Sequence, residues 1–288
     1  MNRITKTLCV SFASLLTPAV LAETFVFTAI PDQDERQLTE RFGKIADYLE
    51  QQLEVNVQYI PVKSYSAAVS AFRSDQVQMA WFGGLTGVQA RQLVPGSQAI
   101  AQGEEDTAFK SYFIAHESAG LAPADTLTDA VRGKSFTFGS KGSTSGRLMP
   151  EFYLREQFGA APETLFSRVG FSGDHSRTIA LVESGAYDVG AVNYAVWDAA
   201  VEAGELDTDV MQIIWETPAY PDYQWTIRGD ADARFGDDFT QRVQQALLDM
   251  TDPDLLAAFP RTGFIPATNA DYLPIEATAI SIGIMDAQ

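Results

Sequence analysis

Residues 24–53 read TFVFTAIPDQDERQLTERFGKIADYLEQQL, and this stretch sets the fold class. It opens on Phe, Val, Thr and Ile residues, a composition typical of a buried β-strand. Leu38, Phe42, Ile45, Leu49 and Leu53 then follow at spacings of four, three, four and four residues. That spacing is the period of an amphipathic α-helix. The stretch therefore predicts one strand followed by one helix.

The same alternation continues along the chain. We expect strands at residues 55–62, 77–82, 97–102, 110–115, 135–138, 168–171, 189–192, 211–215 and 223–227. We expect helices at residues 65–73, 147–158 and 176–184, and a last one around 239–250. Strands that alternate with helices indicate an α/β fold with parallel, wound sheets.

The domain organisation follows from where this pattern is interrupted. Residues 121–133 form a polar stretch between two α/β patterns, and residues 223–227 offer a strand that leads back to the first. We therefore predict two lobes, the first comprising residues 23–116 with 220–288 and the second residues 117–219. A small ligand is expected in the cleft between them.

The first 22 residues have the features of a secretory signal peptide. Arg3 and Lys6 are followed by the short apolar segment 8–16, and Val20 and Ala22 place small residues before a cleavage site. This apolar segment falls short of the ~20 residues of a membrane-spanning helix. We predict an exported protein that is periplasmic and does not insert into the membrane.

Composition excludes several classes of function. The chain has 20 Lys and Arg against 38 Asp and Glu, for a formal net charge of -18, which disfavours nucleic acids and anionic membranes as partners. A single cysteine, Cys9, excludes a disulfide framework and a cysteine zinc site. We expect neither a metal nor a cofactor.

The most informative segment for function is GSKGSTSGR at residues 139–147, between a predicted strand and a predicted helix. A helix start exposes unpaired N–H groups and a positive dipole end, so Ser143, Thr144 and Ser145 are placed to bind an oxyanion. The alternative is that Ser143 or Thr144 only caps the helix. The segment matches neither a phosphate-binding P-loop nor the Gly-x-Ser-x-Gly elbow of hydrolases.

A second candidate is the segment GDHS at residues 173–176, which again lies between a strand and a helix. His175 can donate an imidazole N–H to an anion, or can be purely structural. Tyr65 and Tyr112 are further ligand candidates, because a phenol can donate a hydrogen bond while its ring packs on the pocket wall.

These segments together resemble the phosphate, phosphite and phosphonate binding proteins of ABC importers. The resemblance covers nearly all of the chain after the signal and rests on YSAAV (65–69), WFGG (81–84), KSYF (110–113), GSTSGRLMP (142–150) and GDH (173–175), in the family's order. The chain looks most like the subgroup described as putative selenate transport binding proteins, which shows stretches like IPDQD (30–34) and YPDY (220–223). The resemblance implies a two-lobed periplasmic binding protein of type II.

The resemblance also implies which residues bind the ligand. Those around a tetrahedral anion would be Tyr65, Tyr112, Ser143, Thr144, Ser145 and His175, and Asp222 and Tyr223 would line the cleft. Members that bind aminoalkyl phosphonates place a carboxylate where this chain has Asn193-Tyr194, which puts an amine-bearing ligand in doubt. If Asp222 faces the anion, a protonated species such as phosphite is favoured; if it points away, a selenate-like ion is favoured.

The expected function is therefore the capture of an oxyanion and its delivery, by a monomer, to an ABC permease in the inner membrane. An exported hydrolase is a second reading, with Ser145 or Ser143 as nucleophile, His175 as base and Asp188 as acid. A third is a receptor module that reports ligand binding to a signalling partner. The sequence does not separate import from sensing.

Overall fold

The computed structural model describes residues 23–257 and 259–287, and these form two α/β units. The predicted signal peptide lies outside the described residues. Among the helices that are described, none has the length and apolar character needed to cross a membrane.

The strands and helices alternate as the sequence pattern indicates. The strands are β1 Phe25–Ala29, β2 Val57–Tyr59, β3 Met79–Phe82, β4 Gln98–Gly103, β5 Ser111–His116, β6 Ser135–Phe138, β7 Arg168–Phe171, β8 Val189–Asn193, β9 Met211–Glu216, β10 Gln224–Ile227 and β11 Phe264–Pro266. The helices are α1 Glu35–Leu53, α2 Tyr65–Arg73, α3 Gly84–Leu93, α4 Met149–Phe158, α5 Pro162–Leu165, α6 His175–Glu183, α7 Tyr194–Glu202, α8 Ala231–Phe235, α9 Phe239–Leu248, α10 Pro253–Leu256 and α11 Leu273–Ser281.

Each unit is built on one sheet. The first sheet has the order β11-β4-β10-β3-β1-β2 and the second β7-β6-β8-β5-β9. Both sheets are mixed, because β10 runs antiparallel to β3 and β4, and β5 runs antiparallel to β8 and β9. The prediction of parallel sheets is wrong for these strands. Both strands enter directly from a crossing between the units, without the helical crossover that a parallel connection needs.

The crossings between the two units pair with each other. Phe109 and Tyr220 exchange two backbone hydrogen bonds, of 2.8 and 3.0 Å, in an isolated antiparallel bridge. Because β5 already belongs to the second sheet, the first crossing precedes residue 111, and the predicted boundary at residue 116 assigns β5 to the wrong lobe. The polar stretch used for that boundary is a connection within the second unit.

The predicted apolar stripe of α1 packs into the first core. Leu38, Phe42, Ile45, Leu49 and Leu53 are all buried, which confirms the helical reading of residues 38–53. The sequence pattern missed helices α3, α5, α7, α8, α10 and α11 and strand β11. Helix α3 is buried from Gly84 through Val88, so it lacks the polar face that makes helical periodicity visible.

Candidate functional site

The turn after β6 is held by its own backbone and by Ser143. The Gly139 N–H donates to the Gly146 carbonyl at 2.8 Å, and the Ser143 Oγ accepts the Gly146 N–H at 2.9 Å. Thr144–Leu148 then forms one π-helical turn that runs into α4. The capping alternative is thus correct for the Ser143 oxygen, but its hydroxyl proton is not used in that bond. The first N–H groups of the turn, at Thr144 and Ser145, have no partner within the helix.

Gly146 is required by close packing rather than by an unusual backbone angle. A Cβ at this position would lie 3.0 Å from the Ser143 Oγ and 3.1 Å from both the Gly139 Cα and the His175 Cε1. Such contacts are tighter than nine in ten real Cβ contacts. The glycine therefore lets the turn approach the His175 ring.

Hydrogen bonds connect the two units across the cleft. The Leu85 N–H donates to the Thr144 Oγ1 at 3.0 Å, and the His175 N–H donates to the Asp32 carbonyl at 2.9 Å. Thr144 is 1% exposed and His175 is 0% exposed. The turn at the start of α4 and the start of α6 are therefore sealed against the first unit, and the cleft is closed.

Asp222 faces this closed cleft. Its Oδ1 accepts the Gly84 N–H at 2.9 Å, at the start of α3, and the side chain is fully buried. A Cβ on Gly83 would lie 3.1 Å from the Asp222 Oδ1 and 3.2 Å from the Thr144 Oγ1, which places these two oxygens on the same side of the Gly-Gly pair. The Asp222 side chain therefore points toward the Gly83-Gly84 pair and the Thr144 hydroxyl.

Two buried polar atoms beside the turn have no hydrogen-bond partner among the described residues. They are the Tyr65 hydroxyl and the Asp222 Oδ2. Buried polar groups in proteins are nearly always paired, so two such atoms in one cleft call for a ligand. One of them can donate and the other can accept. Burial, followed by the charge of Asp32, raises the pKa of Tyr65 well above 10, so its hydroxyl keeps its proton.

His175 is a neutral hydrogen-bond donor. Burial lowers its pKa to about 3, so the imidazole carries no charge at neutral pH. The Nδ1 accepts the Asn193 N–H at 3.3 Å, which assigns the remaining proton to Nε2. The Nε2 lies 3.5 Å from the Ser145 Oγ. The ring therefore presents an N–H beside the hydroxyls of the turn.

Positive side chains near the turn are either exposed or paired. Lys141 is exposed, with its ammonium 5.1 Å over the Phe171 ring. Arg147 forms an ion pair with Glu151 and its guanidinium lies 4.8 Å over the Phe138 ring. Lys63 pairs with Glu35 at the edge of the first unit. The groups that face the cleft from the turn are thus neutral amides, hydroxyls and an imidazole.

Tyr223 is brought to the cleft, but its hydroxyl has other partners. It donates to the Asp32 Oδ2 at 2.8 Å and accepts the Asn193 Nδ2 at 3.1 Å, while the Asn193 Oδ1 caps α7 through the Ala195 N–H at 2.8 Å. Asp32 and Asn193 were not among the predicted site residues. The only signals for them are the IPDQD stretch at 30–34 and the asparagine that departs from the family pattern.

Tyr112 is not brought to the site, and this prediction is corrected by the structure. Its hydroxyl points to the Asp198 Oδ2 at 3.4 Å. Successive strand residues face opposite sides of a sheet, so its neighbour Ser111 faces the turn instead. The Ser111 Oγ donates to the Ser145 carbonyl at 2.7 Å.

The hydrolase reading fails on geometry. The Asp188 carboxylate accepts the N–H and the hydroxyl of Ser135, each at 2.7 Å. A catalytic triad needs an acid at the histidine nitrogen that faces away from the nucleophile. At His175 that position holds the Asn193 N–H. The serine, histidine and acid that the sequence suggested are therefore not assembled.

The buried carboxylates predict a pH-dependent stability. Burial raises the pKa of Asp222 from 3.8 to about 7, against the lowering effect chiefly of the Gly84 N–H hydrogen bond. Burial likewise raises the pKa of Asp32 to about 6, opposed chiefly by Tyr223. The folded protein then holds protons that the unfolded chain releases, so this stability is complete below about pH 4 and is lost as the pH rises through 6 to 7.

Ligand-free protein should therefore melt at a higher temperature near pH 5 than near pH 7. Its free energy of unfolding should fall by about 1.4 kcal/mol per pH unit for each group. Thermal melts across this range would check it. The slope should be shallower in an Asp222→Asn variant. Parallel slopes for the two proteins would contradict the role given to Asp222.

Comparisons with known proteins support one family. The family described as "ABC transporter, phosphonate, periplasmic substrate-binding protein" matches residues 27–272. A relative from Prochlorococcus marinus, named probable ABC transporter phosphite binding protein PhnD1, is 40% identical over 255 residues, covering 86% of each chain. The phosphonates-binding periplasmic protein of Escherichia coli is 25% identical, over 73% of this chain and 63% of its own length.

A solved structure shows the same architecture. PhnD1 of Prochlorococcus marinus in complex with methylphosphonate superposes with a TM-score of 0.86 at 38% identity, covering 91% of this chain and 99% of that one. With 91% of this chain covered, the likeness extends over both units. On the match to residues 27–272 and this degree of identity, the chain belongs to the family of periplasmic substrate-binding proteins of phosphonate ABC transporters.

Proposed function

We propose that this protein binds a singly protonated phosphorus oxyanion, either phosphite or a small phosphonate, and delivers it to an ABC permease. The observation that carries the proposal is the buried, unpaired Asp222 Oδ2, which lies in a cleft otherwise lined by donors. As a member of its family the chain is a binding protein and not an enzyme.

The donors account for the oxygens that carry charge. The proposed donors are the N–H groups of Thr144 and Ser145, the hydroxyl protons of the turn, the His175 Nε2 and the Tyr65 hydroxyl, all of which belong to buried residues. Neutral dipoles arranged in this way can hold an anion without a positive side chain. Their number suits the several oxygen lone pairs of a tetrahedral ion.

The acceptor accounts for the oxygen that carries a proton. An ionised Asp222 accepts a hydrogen bond from a P–OH group but repels an oxygen without a proton. Selenate and sulfate are fully ionised near neutral pH and offer no such proton. The orientation of Asp222 thus favours phosphite or a phosphonate over the selenate-like ligand suggested by the subgroup resemblance.

The substituent on phosphorus is proposed to be small and uncharged. Residue 193 is an asparagine, so this position offers no carboxylate that could bind an amine. Both ends of its amide are also already hydrogen-bonded, to α7 and to Tyr223. The relative that is named for phosphite and the neighbour solved with methylphosphonate support this ligand class.

Ligand binding is proposed to stabilise the closed arrangement of the two lobes that the structure shows. The Leu85–Thr144 and His175–Asp32 hydrogen bonds join the units only when the cleft is shut. A closed form of this kind is the species that a permease, or alternatively a sensory partner, would recognise. We also propose that the protein is a monomer located in the periplasm. The proposed lobes keep the limits expected from the sequence, except that the first crossing is moved to residues 109–110.

The test is a calorimetric titration with phosphite, methylphosphonate, phosphate, sulfate and selenate. At about pH 7 a large share of the phosphite and methylphosphonate still carries the acidic proton and Asp222 is partly ionised, so phosphite or methylphosphonate should bind at least about 100-fold more tightly than sulfate or selenate, as expected for a hydrogen bond to a charged group. At about pH 5.5 a protonated Asp222 can donate to sulfate, and the preference should shrink.

Equal affinities for phosphite and sulfate at the higher pH would overturn the proposed ligand class. A preference that does not change between the two pH values would show that Asp222 does not exchange its role from acceptor to donor.

A further inference from the structure

A buried ion pair lies directly behind the ligand cleft. Arg261 is 7% exposed and Asp106 is 0% exposed. The Arg261 Nη2 donates to the Asp106 Oδ1 at 2.7 Å and its Nε donates to the Oδ2 at 3.0 Å, which is the two-pronged geometry specific to arginine. The Arg261 Nη1 also donates to the Phe259 carbonyl at 2.6 Å, so the guanidinium ties the carboxylate to the C-terminal segment.

The main chain around the pair leaves no free space. A Cβ on Gly103 would lie 2.6 Å from the Asp106 Oδ2 and 2.7 Å from the Arg261 Cδ. The Gly103 N–H instead donates to the same Asp106 Oδ2 at 3.0 Å. The carboxylate is therefore held from two sides, and its position along the first crossing is closely defined.

The pair is connected to the ligand cleft through two contacts. The Asp222 N–H donates to the Asp106 carbonyl at 3.0 Å, so Asp106 sets the position of the Asp222 main chain. The Arg261 guanidinium lies over the Tyr223 ring at 5.5 Å and over the Phe109 ring at 5.2 Å. The same residue pair thus contacts both crossings and the two cleft residues of the second one.

Stability alone does not account for such a pair. Desolvation offsets most of the attraction between buried charges, and well-packed apolar residues often serve as well or better. What an arginine fork adds is a defined direction and distance. Here that geometry reaches the backbone of Asp222, the carboxylate whose Oδ2 is unpaired.

We propose that Asp106 and Arg261 are positioning residues that hold Asp222 where it can accept a hydrogen bond from the ligand, and so determine the selectivity of the cleft. This rests on the proposed function. When the fork is lost, the second crossing gains freedom and the Asp222 carboxylate moves away from the anion. Binding of protonated oxyanions then weakens, and the penalty on fully ionised ones is relieved.

The experiment measures the ratio of the sulfate and phosphite dissociation constants at about pH 7. Arg261→Lys keeps the charge but removes the fork, and Asp106→Asn keeps the shape but removes the charge. Each variant should lower the ratio by about tenfold, the equivalent of 1.4 kcal/mol. The second variant keeps the proposal testable if the first does not fold, and thermal melts report on folding.

The matched control is Arg228→Lys. Arg228 lies in the first unit, pairs with Asp230 at 3.0 Å and donates to the Phe72 carbonyl at 2.7 Å, so it repeats the chemistry of Arg261 without contacting Asp222. This variant should leave the ratio unchanged whatever it does to the melting temperature. A purely structural role for Arg261 would weaken all anions equally and would also leave the ratio unchanged.

The outcomes separate the two proposals. If the unaltered protein shows no preference for phosphite, the proposed function fails. If it shows the preference and a folded Arg261→Lys or Asp106→Asn protein keeps it within about twofold, the function stands and the positioning role is overturned.

Discussion

An Asp222→Asn variant is expected to lose its preference for phosphite over sulfate. Its affinity for phosphite should fall by about 10- to 100-fold, and its affinity for sulfate should rise. The reason is the fixed orientation of the side chain. The Gly84 N–H requires an acceptor at the Oδ1 position, so the new amide must place its oxygen there and its NH₂ group at the Oδ2 position. A donor then faces the ligand where an acceptor stood, at a cost of about 1.5–3 kcal/mol for a protonated ligand.

Calorimetric titration of both anions at about pH 7, where a large share of the phosphite still carries its acidic proton, would measure these changes in affinity. Asp129→Asn serves as the control, because Asp129 is an exposed carboxylate that pairs with Arg132 and its loss changes the net charge equally. An Asp222→Asn protein that binds phosphite within threefold of the unaltered protein, under these conditions, would show that the carboxylate does not touch the ligand.

Two substitutions at His175 are expected to separate its structural role from its binding role. An asparagine can place its oxygen near the Nδ1 position and keep the bond from the Asn193 N–H, but it does not reach the Nε2 position. A glutamine can place its NH₂ group near the Nε2 position and keep the donor. We therefore expect His175→Asn to weaken phosphite binding about 10- to 100-fold, the range for a hydrogen bond to a charged group, and His175→Gln to weaken it less.

Melting temperatures of the ligand-free proteins complete this test. They should fall less for His175→Asn than for His175→Ala, which leaves the Asn193 N–H unpaired in a buried position. Since the pKa of His175 is about 3, the loss of affinity should be the same at pH 7 and at pH 8. If His175→Asn bound phosphite as tightly as the unaltered protein, the imidazole would have only a structural role.

The parts of the site that could be predicted lie in short, continuous segments. The turn at 139–147 follows a strand and opens a helix, as the residue pattern indicates, and Ser143, Thr144 and Ser145 lie buried on its cleft side. Helix α2 has the predicted bounds, Tyr65–Arg73, and begins with the tyrosine whose hydroxyl is unpaired in the cleft. Local composition was sufficient here because both strand-to-helix turns and helix starts are set by neighbouring residues.

The parts that could not be predicted depend on strand register and on the crossings. Ser111 and Tyr112 are adjacent, and only the pairing of β5 with β8 and β9 decides which of them faces the turn. The resemblance suggested Tyr112, and the structure brings Ser111 to the turn instead. The predicted lobe boundary lies on the wrong side of β5 for the same reason, because strand pairing decides to which sheet β5 belongs.

The amino-acid sequence alone was enough to specify an α/β protein with an anion-binding turn, because periodicity, glycines and hydroxyl residues act over a few neighbouring positions. The direction of the Asp222 carboxylate, the protonation of His175 and the buried Asp106–Arg261 pair were decided by the tertiary structure. Each of them joins residues that are distant in the chain, and burial in a closed cleft, which no local pattern reports, sets their charge and their partners.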